Sequence, residues 1–144
     1  MSVMKNLSRR VNLNEIIDYA LYILSMLISK NNISENEKNI PEYKFREIII
    51  KTIDELAKKG YLVEDDFNSS LISEKYMDII DDYRTFELIT LGTSPNPGYY
   101  IKVNSDVFNS FFRRLYKKED KILFETVKKI IEEYLLKKKK DLLY

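Results

Sequence analysis

The side chains of this sequence that could do chemistry are carboxylates, amines, guanidinium groups and phenols. The 144 residues include 24 Lys and Arg, 23 Asp and Glu and 11 Tyr, but no His and no Cys. The absence of His and Cys excludes a Ser-His-Asp or Cys-His nucleophile, a zinc site with the usual ligands, a haem or iron–sulfur centre and a disulfide. The three glycines, Gly60, Gly92 and Gly98, do not have the spacing of a phosphate-binding loop. We therefore expect a protein that is not an enzyme and that holds no metal and no cofactor.

The charged residues are unevenly distributed, although the formal net charge is only +1. Residues 64–87 contain eight acids and two bases, whereas residues 113–140 contain eleven bases and five acids. In the acidic segment, Glu74, Asp78 and Asp82 are spaced to share one face of a helix, where like charges are mildly destabilising. This acidic face has three interpretations: a Mg²⁺ or Ca²⁺ site, a docking surface for a basic protein such as a second copy of this chain, or a solvated surface.

Apolar spacing predicts the elements that position these groups. A helix from Leu13 to Lys30, capped by Asn12, has apolar residues around most of its circumference and should be central. A single helical turn is expected at 34–39, and a second long helix from Pro41 to Lys59 ends at Gly60.

A short strand, Tyr61–Val63, and a further helix beginning near Ser73 follow. We then expect a hairpin formed by Thr85–Leu91 and Tyr99–Val103, because two β-rich runs enclose a Pro, Gly and Asn tip. The alternative is that the helix continues through Leu91 and that Tyr99–Val103 pairs with Tyr61–Val63. A helix from Ser105 and a last helix, 121–138, complete the predicted fold.

The segment Glu55-Leu56-Ala57-Lys58-Lys59-Gly60-Tyr61-Leu62 resembles the junction between the third helix and the first wing strand of winged-helix DNA-binding domains. The segment Ala20–Leu24 is similar to their first helix. The predicted fold is thus mainly α with a small β-hairpin. It is a single domain, 1–144, with a winged-helix-like three-helix core over 13–103 and a C-terminal helical extension over 105–140.

This resemblance implies DNA binding through the helix of residues 41–59 and a wing. The candidate nucleic-acid contacts are Lys44, Arg46, Lys51, Lys102, Arg9 and Arg10. Against this interpretation, Glu47 and Lys51, and likewise Glu55 and Lys59, have the i, i+4 spacing of local ion pairs. The same face could therefore be a self-neutralised, solvated surface.

Two further basic segments have alternative interpretations. In 111–118, aromatic and basic residues alternate in a way that suits single-stranded nucleic acid, but helical spacing places the aromatics on a core side and the bases in solvent. The run Lys137–Lys140 complements the negative end of the last helix, or could bind phosphates or an acidic membrane surface.

We expect a non-enzymatic DNA-binding protein, such as a small transcriptional regulator, and a homodimer formed through Lys121–Leu136. The alternative function is a helical protein-interaction module or assembly subunit that does not bind nucleic acid. No membrane span and no signal peptide are expected, since the longest uncharged stretch near the N-terminus is short and no cleavage pattern follows it. These features predict a cytoplasmic location.

Overall fold

The computed structural model describes residues 9–30, 40–63, 69–93 and 99–143. In these ranges the chain is mainly helical with a small antiparallel sheet, as the sequence predicts. The helices are α1 (Leu13–Lys30), α2 (Glu42–Lys58), α3 (Ser69–Thr85), α4 (Ser105–Leu115) and α5 (Lys121–Leu143). The strands are β1 (Arg10–Val11), β2 (Ile40–Pro41), β3 (Leu62–Val63), β4 (Ile89–Thr93) and β5 (Tyr99–Val103). The predicted helical turn at 34–39 lies outside the described residues.

Helix α1 is the centre of the molecule. Its side chains from Leu13 to Leu27 are almost all buried, because α2, α3, α4 and α5 pack around it. Asn12 caps it as predicted, with its Oδ1 accepting a hydrogen bond of 2.9 Å from the backbone N–H of Glu15. A buried apolar core that includes residues of all five helices forms around α1.

Helix α2 ends where predicted, at Gly60. The N–H groups of Gly60 and Tyr61 donate to the carbonyl oxygens of Ala57 and Leu56, and Gly60 has a φ of +91°, the left-handed conformation that glycine adopts without a Cβ penalty. The next strand, β3, pairs in parallel with β1. The alternative in which Tyr61–Val63 pairs with Tyr99–Val103 is therefore wrong.

Helix α3 is longer at its start than the sequence indicates, beginning at Ser69 rather than near Ser73. Among its side chains that the structure describes, the buried ones are Tyr76, Ile79, Ile80 and Tyr83, which share one face of the helix. It continues to Thr85, so the first strand of the hairpin begins at Ile89, later than the predicted Thr85.

The hairpin of β4 and β5 is confirmed, and β2 adds to it on the β5 side. Both pairings in this three-stranded sheet are antiparallel. Ile101 of β5 lies between Ile40 of β2 and Leu91 of β4, so the strand order is β2-β5-β4. Because β2 leads directly into α2, this pairing places the start of α2 beside β5.

Helices α4 and α5 complete the core. Phe108 and Phe112 of α4 are buried, and Phe112 stacks on Tyr22 of α1 with ring centroids 4.2 Å apart. Helix α5 packs on both α1 and α2. Its four most buried apolar residues are Leu123, Val127, Ile130 and Ile131. The C-terminal segment is thus an integral part of the hydrophobic core.

Candidate nucleic-acid interface

Arg46, a candidate DNA contact on α2, is held by an acid of its own helix. Its guanidinium donates two hydrogen bonds to the Glu42 carboxylate, at 2.7 and 3.1 Å, and lies over the Tyr76 ring at 5.4 Å from the centroid. Glu42 is nearly buried. A bidentate pair of this kind fixes the orientation of the guanidinium. Because the guanidinium also lies over Tyr76, Arg46 connects α2 to α3.

The two lysine candidates on α2 are also paired. The Lys44 ammonium lies 3.4 Å from the Glu47 carboxylate, and Lys51 lies 3.6 Å from Glu133 on α5. The partners differ from the predicted i, i+4 set, since Glu47 pairs backward with Lys44 and Lys51 reaches across to another helix. The exposed side of α2 is therefore close to neutral.

The remaining three candidates lie on strands or beside them. Arg9 contacts Asp120 at 2.7 Å and Glu15 at 3.0 Å, so its charge is balanced by acids of the same chain. Arg10 is exposed on β1, and Lys102 is exposed on β5, opposite Thr90. The six predicted residues thus occupy three separate regions: the β1 end, the α2 surface and the hairpin.

The predicted acidic face is present on α3. Glu74, Asp78 and Asp82 are all exposed, as is Asp81, whose carboxylate lies 3.8 Å from Arg84. Among the residues that the structure describes, no group of three or more acidic side chains is arranged to hold a metal ion. Just beyond these acids, Phe86 is 70% exposed, which gives this region an apolar edge.

A buried carboxylate that the sequence did not reveal lies where α1, α3 and α4 meet. Asp18 is 1% exposed, and its Oδ1 and Oδ2 accept hydrogen bonds from the hydroxyls of Tyr83 and Tyr116 respectively, the second at 2.5 Å. Burial raises the pKa of Asp18 to about 6, although the two tyrosine hydrogen bonds oppose that shift. Burial and the charge of Asp18 in turn raise the pKa of both tyrosines.

Asp120, between α4 and α5, also connects several elements of the fold through hydrogen bonds. Its Oδ1 caps α5 by accepting from the Leu123 N–H at 3.1 Å, and also accepts from the Tyr61 hydroxyl at 3.1 Å. Its own N–H donates to the Tyr19 hydroxyl at 2.9 Å. Burial raises the pKa of Tyr61 to about 12, and the nearby charge of Asp120 acts in the same direction. With Arg9 bound to the same carboxylate, the turn before α5 is fixed to three parts of the chain.

A dense set of cations surrounds this turn, and we refer to it as the basic corner: Arg113, Arg114, Lys117, Lys118 and Lys121. All five are exposed, and within the described parts of the chain none has an ion pair within 4.0 Å. Phe112 is buried and Phe111 and Tyr116 are half-buried. The aromatics of 111–118 thus face the core and the bases face solvent, as in the second interpretation of that segment.

Four of these cations belong to 111–118, for which the sequence allows single-stranded nucleic-acid binding or a solvated surface, but none of the five is among the six predicted DNA contacts. The signal available in the sequence is the density of charge: residues 113–121 contain five bases and two acids, Glu119 and Asp120. That Asp120 is occupied by Arg9, rather than by a cation of the corner, depends on residues more than a hundred positions apart.

Comparisons with protein-family models, with curated proteins and with solved structures find no match to this chain. Of the helices in the described ranges, none combines the length and the apolar character needed to cross a membrane.

Proposed function

We propose that this chain is a non-enzymatic DNA-binding protein, such as a small transcriptional regulator. The observation that carries the proposal is the order of elements: three helices, α1, α2 and α3, precede a hairpin, β4–β5, within an antiparallel sheet. In the winged-helix resemblance of the sequence, α2 is the third helix and the helical turn at 34–39, outside the described residues, is the second; here α3 lies between the α2–β3 junction and the hairpin. A short ribbon beside a helical core is a shape that fits a DNA groove.

The test is the binding of a fluorescein-labelled, mixed-sequence duplex of 24 base pairs, followed by anisotropy at several salt concentrations. We expect binding at low salt, with an affinity that falls steeply as salt rises, because counterions released from phosphates favour the complex. Absence of binding at low salt would overturn the proposal.

The second candidate is a protein-interaction module that does not bind nucleic acid. The charges of α3 favour it, because the helix directly before the hairpin carries Glu74, Asp78, Asp81 and Asp82 on its exposed side. Such a face repels phosphates and attracts a basic protein surface. In the anisotropy experiment, this candidate gives no change with DNA at any salt concentration.

Self-association through Lys121–Leu136 is part of either function. Most apolar residues of that segment are used within the subunit, so a homodimer would have to use those that remain exposed. Ile122 is 54% exposed and Leu136 57% exposed, and their spacing of 14 residues puts them near one side of α5.

Light scattering of the full chain and of an Ile122→Lys, Leu136→Lys variant tests the homodimer. We expect a dimer mass for the natural chain and a monomer mass for the variant. Surface substitutions are needed, because a truncation before α5 would remove Leu123, Val127, Ile130 and Ile131 from the core. A monomer mass for the natural chain at high concentration would contradict the assignment.

A further inference from the structure

The basic corner differs from the α2 surface in that none of its five cations has an ion pair within 4.0 Å among the residues that the structure describes. On α2, acids lie within 3.6 Å of Lys44, Arg46 and Lys51. At the corner, the two nearest acids in the sequence are Glu119, which is exposed, and Asp120, which binds Arg9 and caps α5. The corner therefore keeps an excess of positive charge in solvent.

The backbone that carries these cations is also firmly positioned. Tyr116, in the middle of the corner, is buried on one side and donates to Asp18, and its ring lies 5.3 Å from that of Tyr19. The hydrogen bonds of Asp120 fix the following residues. Because the turn is already ordered, the binding of a ligand there costs little backbone entropy, and only the lysine and arginine side chains need to be ordered.

We propose that the basic corner is the surface through which this chain contacts the phosphate backbone of duplex DNA. The proposal rests on the proposed function and names its contact surface, which is not the α2 face. Duplex DNA has about one negative charge per 1.7 Å of axis, so five adjacent cations can contact several phosphates at once. Lysine and arginine contacts of this kind position a protein on DNA without reading the sequence.

The test compares two variants that lose the same charge. In the corner variant, Arg114, Lys117 and Lys118 are replaced by Gln; in the control variant, Lys44, Lys51 and Lys58 of α2 are replaced by Gln. Lys44 is half-buried and the other five residues are exposed, so both variants should fold, which circular dichroism checks. Anisotropy with the same 24-base-pair duplex is measured from about 30 to about 200 mM salt, a range over which phosphate contacts change affinity strongly.

For the corner variant we expect the slope of log K against log salt to fall by about 2–3, and affinity at about 0.1 M salt to fall by at least about tenfold. The control variant should stay within about twofold of the natural chain, because its lysines lie beside acids. A Lys117→Arg, Lys118→Arg variant should keep the natural slope, since the charges are retained.

Two results would overturn the inference. If the natural chain binds DNA but the corner variant keeps its slope, DNA binding stands and its surface lies elsewhere. If, in addition, the corner variant changes the mass measured by light scattering without DNA, the corner binds the acidic α3 face of a second copy. Failure of the natural chain to bind at low salt would overturn the proposed function together with this inference.

Discussion

The exposed side of α2 and the basic corner each carry several basic residues, but they differ in what lies beside those residues. On α2, Arg46 lies against Glu42 and Lys51 against Glu133, so the positive charges are balanced within the fold. At the corner, the nearby acid Asp120 is turned toward Arg9 and the start of α5. Surface potential thus follows from which acid faces which base in the tertiary structure, and a local count of charges does not determine it.

The two regions also differ in how their buried acids are satisfied. Glu42 has the guanidinium of Arg46 beside it, whereas Asp18, behind the corner, accepts hydrogen bonds from two tyrosine hydroxyls and from no cation of the described residues. A buried carboxylate without a cation is disfavoured in its charged form. The stability of the packing behind the corner should therefore depend on pH through Asp18.

The largest expected effect concerns Asp18. Its pKa is about 6 in the folded protein against an ordinary value of 3.8, so the folded state holds this proton more tightly than the unfolded state does. The contribution of Asp18 to the free energy of unfolding is thus greatest below about pH 4 and falls by about 3 kcal/mol as pH rises through 6. Urea denaturation from pH 3.5 to 7.5 measures this change as the difference between the natural chain and an Asp18→Asn variant.

An Asp54→Asn variant is the matched control, since Asp54 is exposed on α2. Its denaturation is measured over the same pH range to show the effect of removing a carboxylate at an exposed position. A difference between the natural chain and Asp18→Asn that does not change with pH would contradict the burial of Asp18 against the two tyrosines.

A smaller effect is expected from the α2 pairs. An Arg46→Ala substitution leaves the nearly buried Glu42 without its two donors and removes the contact with Tyr76, so it should lower the free energy of unfolding by about 1–2 kcal/mol. Lys44→Ala breaks a pair between exposed side chains and should cost less than about 0.5 kcal/mol. Thermal and urea denaturation measure both values, and equal costs for the two variants would refute this ranking.

Much of the fold was predictable because it follows from local patterns. The apolar positions of α1, the stop at Gly60 and the inward residues of α3 each depend on side chains a few positions apart, which the helical repeat places on one face. The hairpin was predictable for the same reason, since its two strands enclose a turn-forming tip. The predicted start of α3, near Ser73, is four residues later than the observed start at Ser69, because serine, which is favoured at helix N-caps, occurs three times within residues 69–73.

The candidate sites were less predictable. The sequence shows which bases share the α2 face and offers Glu47 as a local partner for Lys51, but it does not show that Glu133 of α5 approaches Lys51 instead. Asp18 lies near the start of α1, where an exposed acid is common. Only the packing of Tyr83 and Tyr116 over it makes it a buried hydrogen-bond acceptor.

The amino-acid sequence by itself determined the helical class, the position of the hairpin and the chemistry that is unavailable without His or Cys. The tertiary structure alone decided which charges are neutralised, which acid is buried and where free cations collect. The physical reason is range: helix and turn preferences act over a few residues, whereas ion pairing and burial depend on contacts between elements far apart in the chain.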